Sequence, residues 1–334
     1  MIIRFRPMRP KDVAGAVAIL AEHPVVGPRY GNGINQLQSA WLQLLGCEAF
    51  SGIVFEEING GAVRLLAAAA SVFADGDFVR DLKTPPFSWV GPELASRIAN
   101  GRSPLLSDGD VALANSNGGL NLVLWHLCID PRDTSRAEVR TQVSAAFFEA
   151  HRGFRLNELI ALQATFLEEA SWIMDGGGFF LNAADGSYAS TMDKSADEIL
   201  AFPHIFGLTR ELALTRMSWL GSLFHYEAPR IGFSRSEQKL LLSALRGGTD
   251  EDLSDELAIS LSAVKKAWRS VYDRAVECLP ELILSHDESE DRRNGDRGKQ
   301  KKQRLLAYLR EHPEELRPHS RKARTETRAT RPFL

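Results

Sequence analysis

The stretch FSRSEQKLLLSALRGGTDEDLSDELAISLSAVKKAWRSVY, residues 233–272, decides how the C-terminal part of this chain folds. Ser234 followed three residues later by Glu237 is the pattern of a capping box, in which each side chain takes up a backbone N–H of the other residue. Leu241, Leu242 and Leu245 then supply the apolar face of a first helix, and Gly247-Gly248 stops it. Thr249 caps a second helix bearing Leu253 and Leu257. After a short turn through Ile259, Ser260 caps a third. In the third helix Val264, Trp268, Val271 and Ala275 fall on one side by their 3–4 spacing. Ser262, Lys265, Lys266 and Arg269 fall on the other. One side is made to pack and the other offers long cationic donors. A helix-turn-helix needs that division, because its last helix must both dock on its neighbours and enter a DNA major groove.

These residues resemble LuxR-type (GerE-type) DNA-binding domains over about 45 residues, without a gap. Glu237, Gly247, Leu257, Ile259, Ser260, Val264, Lys265 and Tyr272 stand where that family places those residue types. The resemblance implies a four-helix domain over 233–279 that binds double-stranded DNA, usually as a homodimer. Ser262, Lys265, Lys266 and Arg269 would then meet the DNA, with Ser234, Glu237, Thr249 and Ser260 as helix caps. The sequence departs from the family at Ser262-Ala263, at Ala267, at Trp268 in place of leucine, and at the acidic start Asp250-Glu251-Asp252. Residues 233–277 hold 7 Lys and Arg against 8 Asp and Glu. Since phosphate neutralisation supplies much of DNA affinity, this segment alone is expected to bind weakly.

The charge needed is found further along. The whole chain of 334 residues has a formal charge of −3, which does not suit a protein that is only a nucleic-acid binder. That figure hides a partition, because residues 297–334 carry 12 Lys and Arg against 4 Asp and Glu. Residues 280–334 read as a charged, largely disordered basic tail adding phosphate contacts, with one short helix over 304–311. Residues 226–232, with Pro229 and Gly232, read as a linker.

Working toward the N-terminus, residues 1–225 read as an α+β domain. A strand over 2–6 and a helix over 11–22 precede a Pro- and Gly-rich loop at 23–35, and a second helix follows over 36–46. A hairpin then turns at Asn59-Gly60-Gly61, with Asn-Gly placed at the positive-φ positions. Residues 75–119 read as an irregular insertion with one short helix over 91–99. An apolar strand over 120–129, a helix over 136–151, a strand over 156–162, a helix over 166–174 and a strand over 179–182 complete the order.

That order, with Ile129-Asp130-Pro131 before the long helix and His151-Arg152-Gly153-Phe154 after it, resembles the GNAT acetyltransferase fold, a mixed sheet with flanking helices. The resemblance implies a cofactor pyrophosphate on the N–H groups that open the long helix. The glycines such a site uses are replaced here by Thr134-Ser135-Arg136-Ala137-Glu138-Val139. The apolar strand offers only His126 as a base, and Trp172 stands where the family often has a tyrosine acid. The domain is therefore expected to sense a small molecule or to dimerise, not to catalyse, and no cofactor is assigned.

Other chemistries fail on inspection. Cys47, Cys128 and Cys278 show no paired spacing, which excludes a disulfide framework and suits a reducing cytoplasm. The eight His show no metal-ligand spacing. Asp175 with Gly176-Gly177-Gly178 lacks the Lys-Ser/Thr of a phosphate loop. His126 reads as a satisfied core histidine, and Phe73, Phe78, Phe87 and Trp89 as core aromatics. The run from Leu65 to Ala74 is too short to span a bilayer, and no signal peptide is expected. The expectation is a cytoplasmic, DNA-binding transcriptional regulator. Two alternatives stand beside it: an acetyl-CoA-dependent N-acetyltransferase with a regulatory C-terminal domain, and a protein-interaction module that has lost DNA binding.

Overall fold

The computed structural model describes residues 2–163, 179–181, 188–189, 195–215, 219–283 and 296–320. The helix expected at 166–174, Trp172, the Gly176–Gly178 turn and the last fourteen residues lie outside them. The chain divides into two units, Met1–His225 and Tyr226–Leu334.

The hairpin organises the first unit. β2 (Phe50–Asn59) pairs antiparallel with β3 (Ala62–Ala74). Asn59 pairs with Ala62, so the two-residue turn is Gly60-Gly61, at φ 55° and 90°. The expected Asn-Gly turn is thus moved by one residue, because two consecutive glycines accept the two positive φ angles without strain. β1 (Ile2–Pro7) flanks β2. β4 (Leu120–Ile129) flanks β3, and β5 (Leu156–Leu162) runs parallel to β4 after a crossover through α7 (Ala137–His151). β6 (Phe179–Leu181), β7 (Tyr188–Ala189) and β8 (Phe206–Thr209) extend the sheet in the order β1-β2-β3-β4-β5-β8-β6-β7.

Helices cover both faces. On one, α1 (Pro10–Glu22), α3 (Ile34–Leu44) and α5 (Val90–Ala99) share a core with Val54, Ala68, Val123, Trp125 and Ile160. On the other, α7 buries Val139, Val143 and Ala146 against Phe55, Leu66 and Ile129. The expected loop at 23–35 contains α2 (Val26–Tyr30) and a 3-10 turn. Pro28 does not prevent this helix, because its missing N–H falls among the first-turn donors that lack partners anyway. The expected irregular insertion is also structured, with α4 (Gly76–Lys83) and α6 (Asp108–Ser116) beside α5. Asp75 and Ser107 cap α4 and α6 by accepting the N–H of Phe78 and Asp110. Two shorter helices, α8 (Ala196–Ala201) and α9 (Arg210–Thr215), and a 3-10 turn (Trp219–Phe224) follow among the described residues.

The second unit is all-α. α10 (Arg235–Leu245), α11 (Asp250–Leu257) and α12 (Leu261–Cys278) are followed by the single turn α13 (Pro280–Ile283) and by α14 (Asp296–Glu311). Two sequence expectations are corrected here. The expected linker is built in: Ile231 is buried, and the backbone N–H groups of Arg230, Ile231 and Gly232 all donate to the Glu315 carboxylate. The expected disordered tail is folded from 296 to 320. Leu305, Leu309 and Leu316 enter the same core as Leu241, Val264 and Val271. The low apolar content of the tail hid this, since three leucines suffice when one existing core receives them all.

Candidate nucleic-acid interface

Local capping places the three central helices of the second unit. Ser234 Oγ accepts the N–H of Glu237, and Glu237 Oε2 accepts the N–H of Ser234 at 2.7 Å. Thr249 and Asp252 repeat the exchange at the start of α11, with 2.8 Å from Thr249 N–H to Asp252 Oδ2. Ser260 Oγ accepts the N–H of Ala263 at 3.2 Å to open α12. All four expected cap residues sit at helix starts. Ala258 ends α11 in the left-handed region at φ 52°, which turns the chain sharply enough for α12 to begin at Leu261.

The expected division of α12 is present. Val264, Trp268, Val271 and Ala275 are buried, whereas Ser262, Lys265, Lys266 and Arg269 are exposed along the opposite side. The three cations have no carboxylate partner among the described residues. Glu237 does more than cap. Its Oε1 accepts from Ser270 Oγ at 2.8 Å and its Oε2 from Arg274 Nε at 2.9 Å, tying the start of α10 to α12. Its carboxyl is held below the usual range by the Ser234 N–H and by these donors, against the opposing effect of burial.

Sequence reasoning missed the elements that hold this face from behind. Lys302 on α14 lies with Nζ 4.7 Å from the centre of the Trp268 ring and 3.2 Å from Asp250 Oδ1. Gln238 donates to the carbonyl oxygens of Glu315 and Arg317. The available signal was the i, i+4 pair Leu305 and Leu309 within an otherwise cationic run. Glu227, His312 and Glu314 bring ligand atoms within 4.8 Å of one another, a grouping that spacing along the chain could not reveal. There the imidazole Nδ1 of His312 already lies 2.9 Å from Glu314 Oε1.

In the first unit, β5 follows β4 only as far as Val123, and a register shift at Ala70/Ser71 leaves Trp125 as an extra residue on β4. A small cavity of about 20 Å³, room for about one water, lies there, lined by Arg29, Tyr30, Trp89, Trp125, His126 and Gln163, among others. His126 Nε2 and the Tyr30 hydroxyl share a hydrogen bond, as expected of a satisfied histidine. Burial, with the Arg29 charge beside it, pushes the imidazole down to about 3, so it is neutral at pH 7. Burial also raises the Tyr30 phenol. Of the four aromatics expected in the core, Phe73 and Phe78 are buried and Phe87 packs against the core. Trp89 instead lines the cavity, with the Arg29 guanidinium 3.8 Å over its ring. Ser71 Oγ and His151 Nε2 are 2.7 Å apart, but both residues are buried and His151 Nδ1 faces the Phe147 carbonyl, which fits a structural pair.

The start of α7 is where a bound pyrophosphate would sit if the acetyltransferase resemblance extended to its cofactor. The residues there do not fit an anion. Asp130 and Asp133 are buried at that turn. Asp133 bridges Arg64 at 2.7 Å and Arg136 at 2.8 Å, and Arg136 also reaches Glu57 and Glu138. Glu138 takes up its own backbone N–H, a first-turn donor. Carboxylates of the chain itself therefore take up the arginines at this turn and leave none of Arg64, Arg132 and Arg136 without an acid partner for a phosphate to claim.

Among the described residues, no helix is long and apolar enough to cross a membrane. No protein-family model matches this chain, and no curated protein matches it.

Proposed function

We propose that this protein is a sequence-specific, DNA-binding transcriptional regulator that works in the cytoplasm. Its C-terminal unit reads double-stranded DNA through a helix-turn-helix formed by α11 and α12. The single observation that carries this reading is the two-sided character of α12. Four apolar residues lock it into the core while Ser262, Lys265, Lys266 and Arg269 are exposed on its outer side, the three cations with no carboxylate partner among the described residues. Arg and Lys in that position pair with guanine edges or phosphates. The N-terminal unit serves as a sensing or dimerisation module without acyl-transfer chemistry. The carboxylates at the start of α7 support that half, and the cavity beside His126 would have to widen to admit a small molecule. The regulator acts as a homodimer, and a signal in the first unit shifts the population of DNA-competent dimers.

Selection of bound sequences from a random double-stranded pool, with the full chain, tests the reading. A two-fold symmetric motif should be enriched, with affinity that falls as salt rises. Replacing Lys265, Lys266 and Arg269 together with Ala should abolish the enrichment. Absence of any salt-sensitive binding by the wild type at low salt would sink the DNA reading. Tight acetyl-CoA binding with acetyl transfer would overturn the non-catalytic assignment of the first unit.

A further inference from the structure

We infer that α14, around Lys301 and Arg304, is a second DNA-contacting surface, one that grips backbone phosphates beside the groove entered by α12; this rests on the DNA-binding reading above.

Between Lys301 and Arg310 the helix carries four cations and no acid. These charges are not on a loose tail. Leu305 and Leu309 are fully buried, and the segment just beyond the helix is clamped by Glu315. Their position is set by Lys302, which lies over the Trp268 ring. On α12, Trp268 lies one turn beyond Lys265, at the edge of the buried side nearest to it. Through Lys302, α14 reaches Trp268, which stacks on Tyr272 and stands one turn from Lys265.

The start of α11 cannot supply this grip. A helix N-terminus favours phosphate, but here it bears Asp250, Glu251 and Asp252. Lys302 neutralises Asp250 from the α14 side. Lys301 and Arg304 have no carboxylate partner among the described residues, and Arg304 is exposed. Pairing of this surface with the same surface of a second copy is disfavoured, since Arg304 and Arg310 would face like charges. Phosphates complement it, and they need no base-specific geometry.

The salt dependence of binding by the full chain, measured on its selected site and on an unrelated duplex, tests the inference. The double variant Lys301→Gln, Arg304→Gln should lower the slope of log affinity against log salt by about 1.8, at about 0.9 per phosphate contact. It should weaken both duplexes alike and leave the preferred sequence unchanged. Arg304→Glu alone changes an exposed residue and guards against misfolding of the double variant; it should lower the slope in the same direction. An unchanged slope in both variants overturns the inference while leaving the DNA reading intact. So does a changed base preference, which would make α14 a reader of bases. A wild-type chain with no salt-sensitive binding overturns both.

Discussion

Both carboxylate oxygens of Glu315 accept the backbone N–H of Ile231, at 2.9 and 3.1 Å. The same carboxylate also receives the N–H groups of Arg230 and Gly232 and the hydroxyl of Tyr308. Glu315 is fully buried, so these donors are what make its charge tolerable there. Glu315→Ala strands them in the interior, where each unsatisfied donor costs about 1–3 kcal/mol. The expected outcome is a loss of about 3 kcal/mol from the second unit, read by urea unfolding. Faster hydrogen exchange in peptides covering 226–245 should accompany it. Truncation after Ile283 should do the same or worse. Unchanged exchange in either variant would mean that the second unit stands without its last helix.

Ala258 holds a left-handed conformation, φ 52° and ψ 43°, at the exposed end of α11. A Cβ makes that region costly by about 1–2 kcal/mol, and glycine has none. Ala258→Gly should therefore raise the stability of the second unit by about 1 kcal/mol, after the extra unfolded-state freedom of glycine is discounted. The urea midpoint measured beside wild type checks the sign.

Gly91 lets α5 approach the Tyr30–His126 pair. A Cβ at this position would lie 2.6 Å from the Tyr30 hydroxyl oxygen and 2.7 Å from the His126 ring. The Gly91 carbonyl also accepts the indole N–H of Trp125 at 3.1 Å. Gly91→Ala must displace one of these, with an expected cost of about 1–3 kcal/mol to the first unit. A thermal midpoint equal to wild type would show that α5 can move aside freely.

The His126 imidazole takes its proton at an ordinary value of 6.5 when unfolded but at about 3 when folded, because burial disfavours the charged form. Below pH 6.5 the unfolded chain therefore binds the extra proton, and stability falls as pH drops from 6.5 toward 3. One such proton corresponds to a slope of about 1.4 kcal/mol per pH unit. His23, also lowered by burial, adds in the same direction. The carboxyls of Asp12, Asp130 and Asp133 are held low by Arg6, Arg132 and Arg64 respectively, so their stabilisation is lost only at more acid pH. Urea unfolding of wild type at pH 7, 6 and 5 should show the decline, and His126→Gln should flatten it. Parallel curves for the two proteins would refute the assignment to His126.

Much of this architecture was legible residue by residue. β4 and β5 match their expected bounds, since each is an apolar run closed by turn residues. The caps Ser234, Thr249 and Ser260 marked the helix starts of the second unit, because a side-chain acceptor three residues ahead of a free N–H is a local event. The outer cations of α12 followed from its period. The helices α4 and α6 were missed although Asp75 and Ser107 were there to be read as caps. Their apolar stripes are short, with Phe78, Val79 and Leu82 in one and Val111 in the other.

Other features had no local signature. Whether the cationic segment after residue 296 would fold depended on a core built some 40 residues earlier, which had room for Leu305 and Leu309. Glu315 reads as a surface acid until the chain brings the N–H groups of Arg230, Ile231 and Gly232 to it. The charge at the start of α7 likewise depends on Arg64, which arrives from the opposite side of the hairpin to meet Asp133. Periodicity and capping are interactions among residues within a turn or two, so the order of the chain contains them. Burial of an acid, docking of a basic helix and closure of an anion site depend on partners far along the chain, and only the assembled fold decides them.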